Sequence, residues 1–172
     1  MTVAEKVSTV RHAGTGQHAK WLIYYLGENI FQRQARGGRK ASRAIVTTVS
    51  GTELAGIVEA GLPVSAAEFL RQRTHMSVKR FGQFIPRSTL ESKRKSAEQT
   101  LSAEQSDRIM RIAEIYARAA EVFGDSDRAE RWMKRTNPQM PDGRTPEEML
   151  LTSYGARHVD DVLTRLEHGI PA

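Results

Sequence analysis

No cysteine occurs among the 172 residues. That absence excludes a disulfide scaffold, a thiolate zinc site and a cysteine nucleophile, and it fits a reducing compartment. Aromatic residues are scarce at 6%, and the longest aromatic-aliphatic run, Trp21 to Leu26, is far too short to span a bilayer. Lys6 has no apolar stretch behind it, so no secretory leader is expected and the chain reads as cytoplasmic, with no membrane partner. Catalytic spacing is missing too. His12, His18, His75, His158 and His168 form no pair that would set two ligands on one helical face. No Gly-x-Ser-x-Gly elbow occurs, and Gly37 to Ser42 lacks the leading glycine and the Gly-Lys-Ser/Thr order of a phosphate loop. Asp160-Asp161 and Glu147-Glu148 read as solvated helix charge. These absences predict a protein that is not an enzyme and needs no cofactor or metal.

What is present is charge, unevenly placed. The chain carries 26 basic and 20 acidic residues, net +6. Residues 1–100 hold 16 basic and 7 acidic side chains, and residues 101–172 hold 10 and 13. A cationic first part joined to a mildly anionic second part points to two jobs, one of them contact with a polyanion. An ordinary basic surface would give the same arithmetic, so charge alone does not decide.

Helical periodicity decides the fold class: mainly all-α. Residues 1–44 read as a basic, partly flexible segment in which Arg33, Arg36, Arg39, Lys40 and Arg43 cluster. The aromatics of residues 20–31 have no evident intrachain home, which makes them candidates for a homodimer contact. Ala44 to Val49 is the one stretch with some strand alternation. Thr52 or Ser50 caps a short helix ended by Gly61-Leu62-Pro63. Ser65 caps the next, with Ala66, Phe69 and Leu70 at core spacing, and Ser77 a third, with Val78, Phe81 and Ile85. Pro86 stops that helix and opens another, from Arg87 to about Ala97. Ser102 and Gln105 form a capping box at the head of a longer helix that Gly124 ends. Asp125 or Ser126 starts a helix with Ala129, Trp132 and Met133, a loop follows, and Thr145-Pro146-Glu147-Glu148 is a second capping box. The last helix, Ser153 to Glu167, stripes Ala156, Val159, Leu163 and Leu166 toward a core.

Two short helices around Pro86, flanked by others, have the layout of a helix-turn-helix, whose second helix reads the major groove. With Leu90 facing inward, Ser88, Ser92 and Lys95 lie within about 40° of the opposite side at the ~100° turn per residue of a helix. The expected DNA-binding set is Arg87, Ser88, Thr89, Ser92, Lys93, Arg94 and Lys95: hydroxyls for base edges, cations for phosphates. Such turns often carry a glycine in the joint. Here Gly82 comes one turn too early, and Phe84 has to find a buried place.

Ala120 to Asp125, Ala129, Trp132-Met133, Asn137-Pro138, Gly143 to Pro146, Gly155 to Leu163 and Arg165 to Pro171 together resemble the toxin-binding domain of Xre/MbcA/ParS-type antitoxins. Gly61 to Ser65, Ile85 to Leu90 and Leu101 to Arg108 resemble that family's Xre-like helix-turn-helix part. The resemblance implies domains at 45–119 and 120–172, operator DNA as one partner, and a RES-domain, NAD-consuming toxin as the other, its active-site cleft blocked by the C-terminal domain. Of the last helix and tail, Arg157, Asp160, Asp161, Thr164, Arg165, Glu167, His168, Gly169, Ile170 and Pro171 are then the expected toxin-binding residues, because Leu166 to Ala172 is slim enough to enter a cleft. The alternatives are a stand-alone transcriptional regulator whose C-terminal domain only oligomerises, and an RNA- or nucleoid-binding protein using the basic N-terminal segment.

Overall fold

Ser102 and Gln105 do what their spacing predicts. The Ser102 hydroxyl accepts the Gln105 N–H and the Gln105 side chain accepts the Ser102 N–H, opening a helix over Ala103–Phe123. A cap of this kind contributes about 1 kcal/mol. This is the longest helix of the computed structural model, which describes residues 15–32, 50–97 and 99–169. Ile109, Ile112, Ala113, Tyr116, Ala117 and Ala120 are buried along it, and Gly124 closes it in the left-handed region at φ 69°. The helices Thr15–Leu26, Gly51–Ala60, Val64–Arg73, Ser126–Lys134 and Ser153–Glu167 all pack on this axis.

In chain order the helices are α1 (Thr15–Leu26), α2 (Asn29–Gln32), α3 (Gly51–Ala60), α4 (Val64–Arg73), α5 (Val78–Phe84), α6 (Arg87–Lys95), α7 (Ala103–Phe123), α8 (Ser126–Lys134), α9 (Pro146–Met149) and α10 (Ser153–Glu167). Among the described residues there is no strand, only an isolated antiparallel bridge between Pro63 and Thr100. The Ala44 to Val49 alternation lies outside them.

The expectation that residues 20–31 lack an intrachain home is overturned. Helix α1 lies along α7 and α4, and Leu22, Tyr25, Leu26, Ile30 and Phe31 are all buried. Tyr25 stacks near Tyr116 of α7 with ring centroids 5.6 Å apart, and the Arg73 guanidinium sits 4.6 Å over Tyr24. Side chains of this size, buried, contribute about 1.5–3 kcal/mol each. Their apolar surface is used inside the chain, while Trp21, Ile23 and Tyr24 of the same stretch are half-buried. Burial also drives the Tyr25 phenol well above its ordinary range.

Helices α3 and α4 pack on α7, α5 is tied to its first half through Arg108, and α6 rests on α4. Ser50, not Thr52, caps α3. Pro63 rather than Ser65 occupies the N-cap of α4, because the chain enters extended and Val64 already turns helical. Phe69 and Val78, expected inside, are 40% and 58% exposed; Ala66, Ala67 and Leu70 take the inner positions of α4. The exit of α6 is clamped: Val64 N–H donates to Gln99 O, Leu101 N–H to Leu62 O and Leu62 N–H to Ser106 Oγ, at 2.8–2.9 Å. That clamp ends α6 at Lys95, two residues short of the sequence expectation.

The remaining helices cover the other half of α7. Asp125 caps α8, whose Ala129 and Met133 are buried. Thr145 and Glu148 complete the capping box of α9, and α10 buries Gly155, Ala156, Val159, Val162 and Leu163. One helix, α7, therefore serves both parts of the molecule, and Tyr116 at its middle donates to the buried Glu147 of α9 at 2.7 Å.

Candidate functional site

The joint between α5 and α6 needs no glycine. Ile85 (φ −137°, ψ 120°) and Pro86 (φ −58°, ψ 140°) make the turn with two extended residues, which any side chain and a proline adopt freely. Phe84 and Ile85 point inward and are fully buried. The Phe84 carbonyl, freed by the turn, accepts from Arg108 Nη1 of α7 at 2.8 Å. These interactions hold α6 out on the surface, and it buries no residue of its own.

Each expected DNA-binding residue can now be placed. Ser88, Ser92 and Lys95 are exposed on the side away from Leu90; Thr89 and Lys93 are half-buried at its edges. Arg87 and Arg94 lie elsewhere. Both stand one turn from Leu90, so they flank its inner side, where with Leu90 and Glu91 they line a groove against Glu68, Arg71 and Gln72 of α4. Each meets a carboxylate there: Arg87 Nε is 2.7 Å from Glu91 Oε1, and Arg94 pairs with Glu68 through Nε and Nη2. The hydrogen bond from Arg87 holds the Glu91 carboxyl below its usual range. Lys93 and Lys95 have no acidic partner among the described residues.

This arrangement ranks two substitutions. Lys95→Ala should weaken duplex binding and lower the salt slope by about one unit for each phosphate left without its cation. Arg94→Ala should cost less, because a phosphate must first displace Glu68. Equal effects of the two in a salt titration would contradict the ranking.

On the opposite part, α10 presents Arg157 and Asp161 to solvent, with Asp160, Thr164 and Arg165 half-buried beside them. Glu167, His168 and Gly169 are exposed at its end; Ile170 and Pro171 lie outside the described residues. Glu167 is not idle. Its two oxygens take a bidentate pair from Arg118 of α7 at 3.1 and 2.5 Å, and Arg118 Nε is also 3.9 Å from Asp160. Hydrogen bonding from Arg118 holds the Glu167 carboxyl below its ordinary value. The Arg118 fork thus fixes where the chain leaves α10.

Beside this network sits Glu114 of α7. Burial raises its pKa, and the neighbouring Asp107 and Asp160 push the same way against His18 and Arg111. A carboxyl with a raised folded pKa loses stability as pH climbs from the unfolded value through the folded one. Glu114→Gln should therefore raise the melting temperature at pH 7, by about 2 °C. The gain should vanish below about pH 4, where the native carboxyl is already neutral. A gain that persists there would rule out the electrostatic origin.

Sequence reasoning missed three residues. Arg80 of α5 donates to Glu148 Oε1 at 2.8 Å and lies 3.7 Å from Glu147, tying the first helix of the turn motif to α9. The hydrogen bond from Thr145 N–H, with Arg80, holds Glu148 below its ordinary pKa. Glu68 is 26 residues from its arginine, a pairing no spacing rule reveals. Tyr154, at the start of α10, is 81% exposed, the most exposed large apolar residue described.

Among the described residues no three acids or histidines gather as a metal site, and no helix is long and apolar enough to cross a membrane. Two family comparisons cover the arrangement. Residues 53–114 match the antitoxin Xre-like helix-turn-helix domain, and residues 118–169 match the antitoxin Xre/MbcA/ParS C-terminal toxin-binding domain. Antitoxin Xre of Photorhabdus laumondii is 36% identical over 126 residues, 70% of this chain and 82% of that protein. Antitoxin Xre of Pseudomonas putida is 38% identical over 87 residues, 51% of this chain. Its Yersinia enterocolitica counterpart is 34% identical over the same length, 50% of this chain. The chain spans 54% and 57% of those last two relatives.

Proposed function

The chain belongs to the Xre family of antitoxins, and from that premise we propose that it neutralises a cognate RES-domain, NAD-consuming toxin while repressing its own operon. In this reading α6 enters the major groove of operator DNA with Ser88, Ser92 and Lys95 leading, as a cytoplasmic homodimer on two half-sites. Residues 120–172 form the toxin-binding part. Leu166 to Ala172 blocks the toxin's active-site cleft, with Arg157, Asp160, Asp161, Thr164 and Arg165 beside it. No catalytic role is assigned to this chain.

The supporting observation is a pair of separate surfaces: a helix with no buried residue and a hydroxyl-lysine outer face, and a second helix, packed on α7, whose last turn is fixed by Arg118. Fixing that turn sets the exit of a slim tail at low entropy cost, which is what a cleft-blocking segment requires. The test is a chain ending at Glu167, mixed with the cognate RES-domain toxin that this reading requires. NAD consumption should return while duplex binding survives. Undiminished inhibition by the shortened chain would overturn the blocking role.

A further inference from the structure

We propose that Leu151 and Tyr154 form an apolar anchor on which the toxin protein docks, separate from the C-terminal tail. The inference rests on the antitoxin reading and adds a second docking point to it. Leu151 is 41% and Tyr154 81% exposed, the two exposed large apolar residues described within the span that matches a toxin-binding domain. An exposed tyrosine gains nothing from the fold of its own chain, since its ring area is still in water.

The position is rigid. Thr152 caps α10 and its hydroxyl accepts the Gly155 N–H at 3.0 Å, so Tyr154 stands in a first turn held on both sides. Gly155, next in sequence, is buried against the Met149 carbonyl. A tyrosine on such a turn loses only two side-chain torsions when a partner covers it, which is why this residue type recurs as an interface anchor. Arg157 and Asp161 follow at i+3 and i+7 and are exposed on the same face, so the ring is bordered by charges of both signs. That is the pattern of an apolar centre with a polar rim.

The occupant is a protein. Nucleic acid is disfavoured because residues 101–172 carry 13 acidic against 10 basic side chains. A membrane surface would need a wider apolar band than two side chains. The face is continuous along α10 with Arg157 and Asp161, which the antitoxin reading already gives to the toxin.

The test is titration calorimetry of the chain against the cognate RES-domain toxin of the antitoxin reading. Tyr154→Ala should weaken binding at least about thirtyfold, Leu151→Ala less, and Tyr154→Phe should stay within about threefold of the parent. Melting temperature and duplex affinity should not change in any of the three, since neither side chain supports the core. If the parent chain fails to bind the RES-domain protein, the antitoxin reading itself falls. If the parent binds and Tyr154→Ala binds equally well, only the anchor is wrong. A Tyr154→Ala chain with unaltered toxin affinity that changes from dimer to monomer assigns the face to a second copy and overturns the proposal.

Discussion

Gly155→Ala is expected to lower the melting temperature by about 10 °C and to abolish toxin binding. An ideal Cβ at this position would lie 2.0 Å from the Met149 carbonyl oxygen and 2.9 Å from its carbon. The obstacle is backbone, so no side-chain rotation relieves it, and α10 must lift from α9. Overpacking of this kind costs about 3 kcal/mol or more, and at ~2–4 °C per kcal/mol that gives the stated shift. The effect should fall hardest on the C-terminal part, since α10 carries the proposed toxin face and the Arg118–Glu167 pair. A control separates geometry from the mere removal of a glycine. Gly82→Ala, within α5 and with nothing within 4 Å of its would-be Cβ, should be neutral or slightly stabilising. A thermal melt in which Gly155→Ala behaves like Gly82→Ala would refute the packing argument.

The second large effect is expected at Gly61. It ends α3 at φ +85°, and a Cβ there would stand 2.5 Å from the Leu101 carbonyl oxygen. Gly61→Ala meets left-handed strain and a backbone collision together, about 3 kcal/mol in sum. The functional signature should differ from that of Gly155→Ala. Gly61 leads directly into Leu62 and Val64, which form one side of the clamp that holds the exit of α6 through Gln99, Leu101 and Ser106. Loosening it frees the outer helix of the turn motif, so duplex affinity should fall further than toxin affinity. A chain in which both fell in proportion would have unfolded as one unit, and the clamp would have no separate role in positioning α6.

Caps were the most legible feature of this sequence, because a cap is a local agreement between residues three apart. Ser50, Ser77, Ser102, Asp125 and Thr145 all accept the backbone N–H that their spacing promises. Local rules failed where a distant element intervened. Phe69 has core spacing, yet α4 turns its alanines inward and leaves that ring over Gly27 of the α1–α2 link. Tyr25 and Leu22 had no visible partner in sequence because their partner, the face of α7 around Tyr116, is some ninety residues away. Part of the DNA-facing set was within reach. Arg87 and Arg94 stand three residues before and four after Leu90, so the same wheel that selected Ser88, Ser92 and Lys95 already placed them on its inner flank.

From the sequence alone came the helical class, most helix starts and ends from α3 onward, the hydroxyl-lysine outer face of α6, and the resemblance that divides the chain into two working parts. All of these depend on residues within about one helical turn of each other, or on motif order. Tertiary structure decided that Glu68 and the α4 groove engage Arg94, that α1 belongs to the core, and that Arg118 anchors the end of α10. The reason is physical: a charge's partner and an aromatic ring's cover are set by distance in space, and the chain brings those groups together only when helices far apart in sequence pack on the same axis.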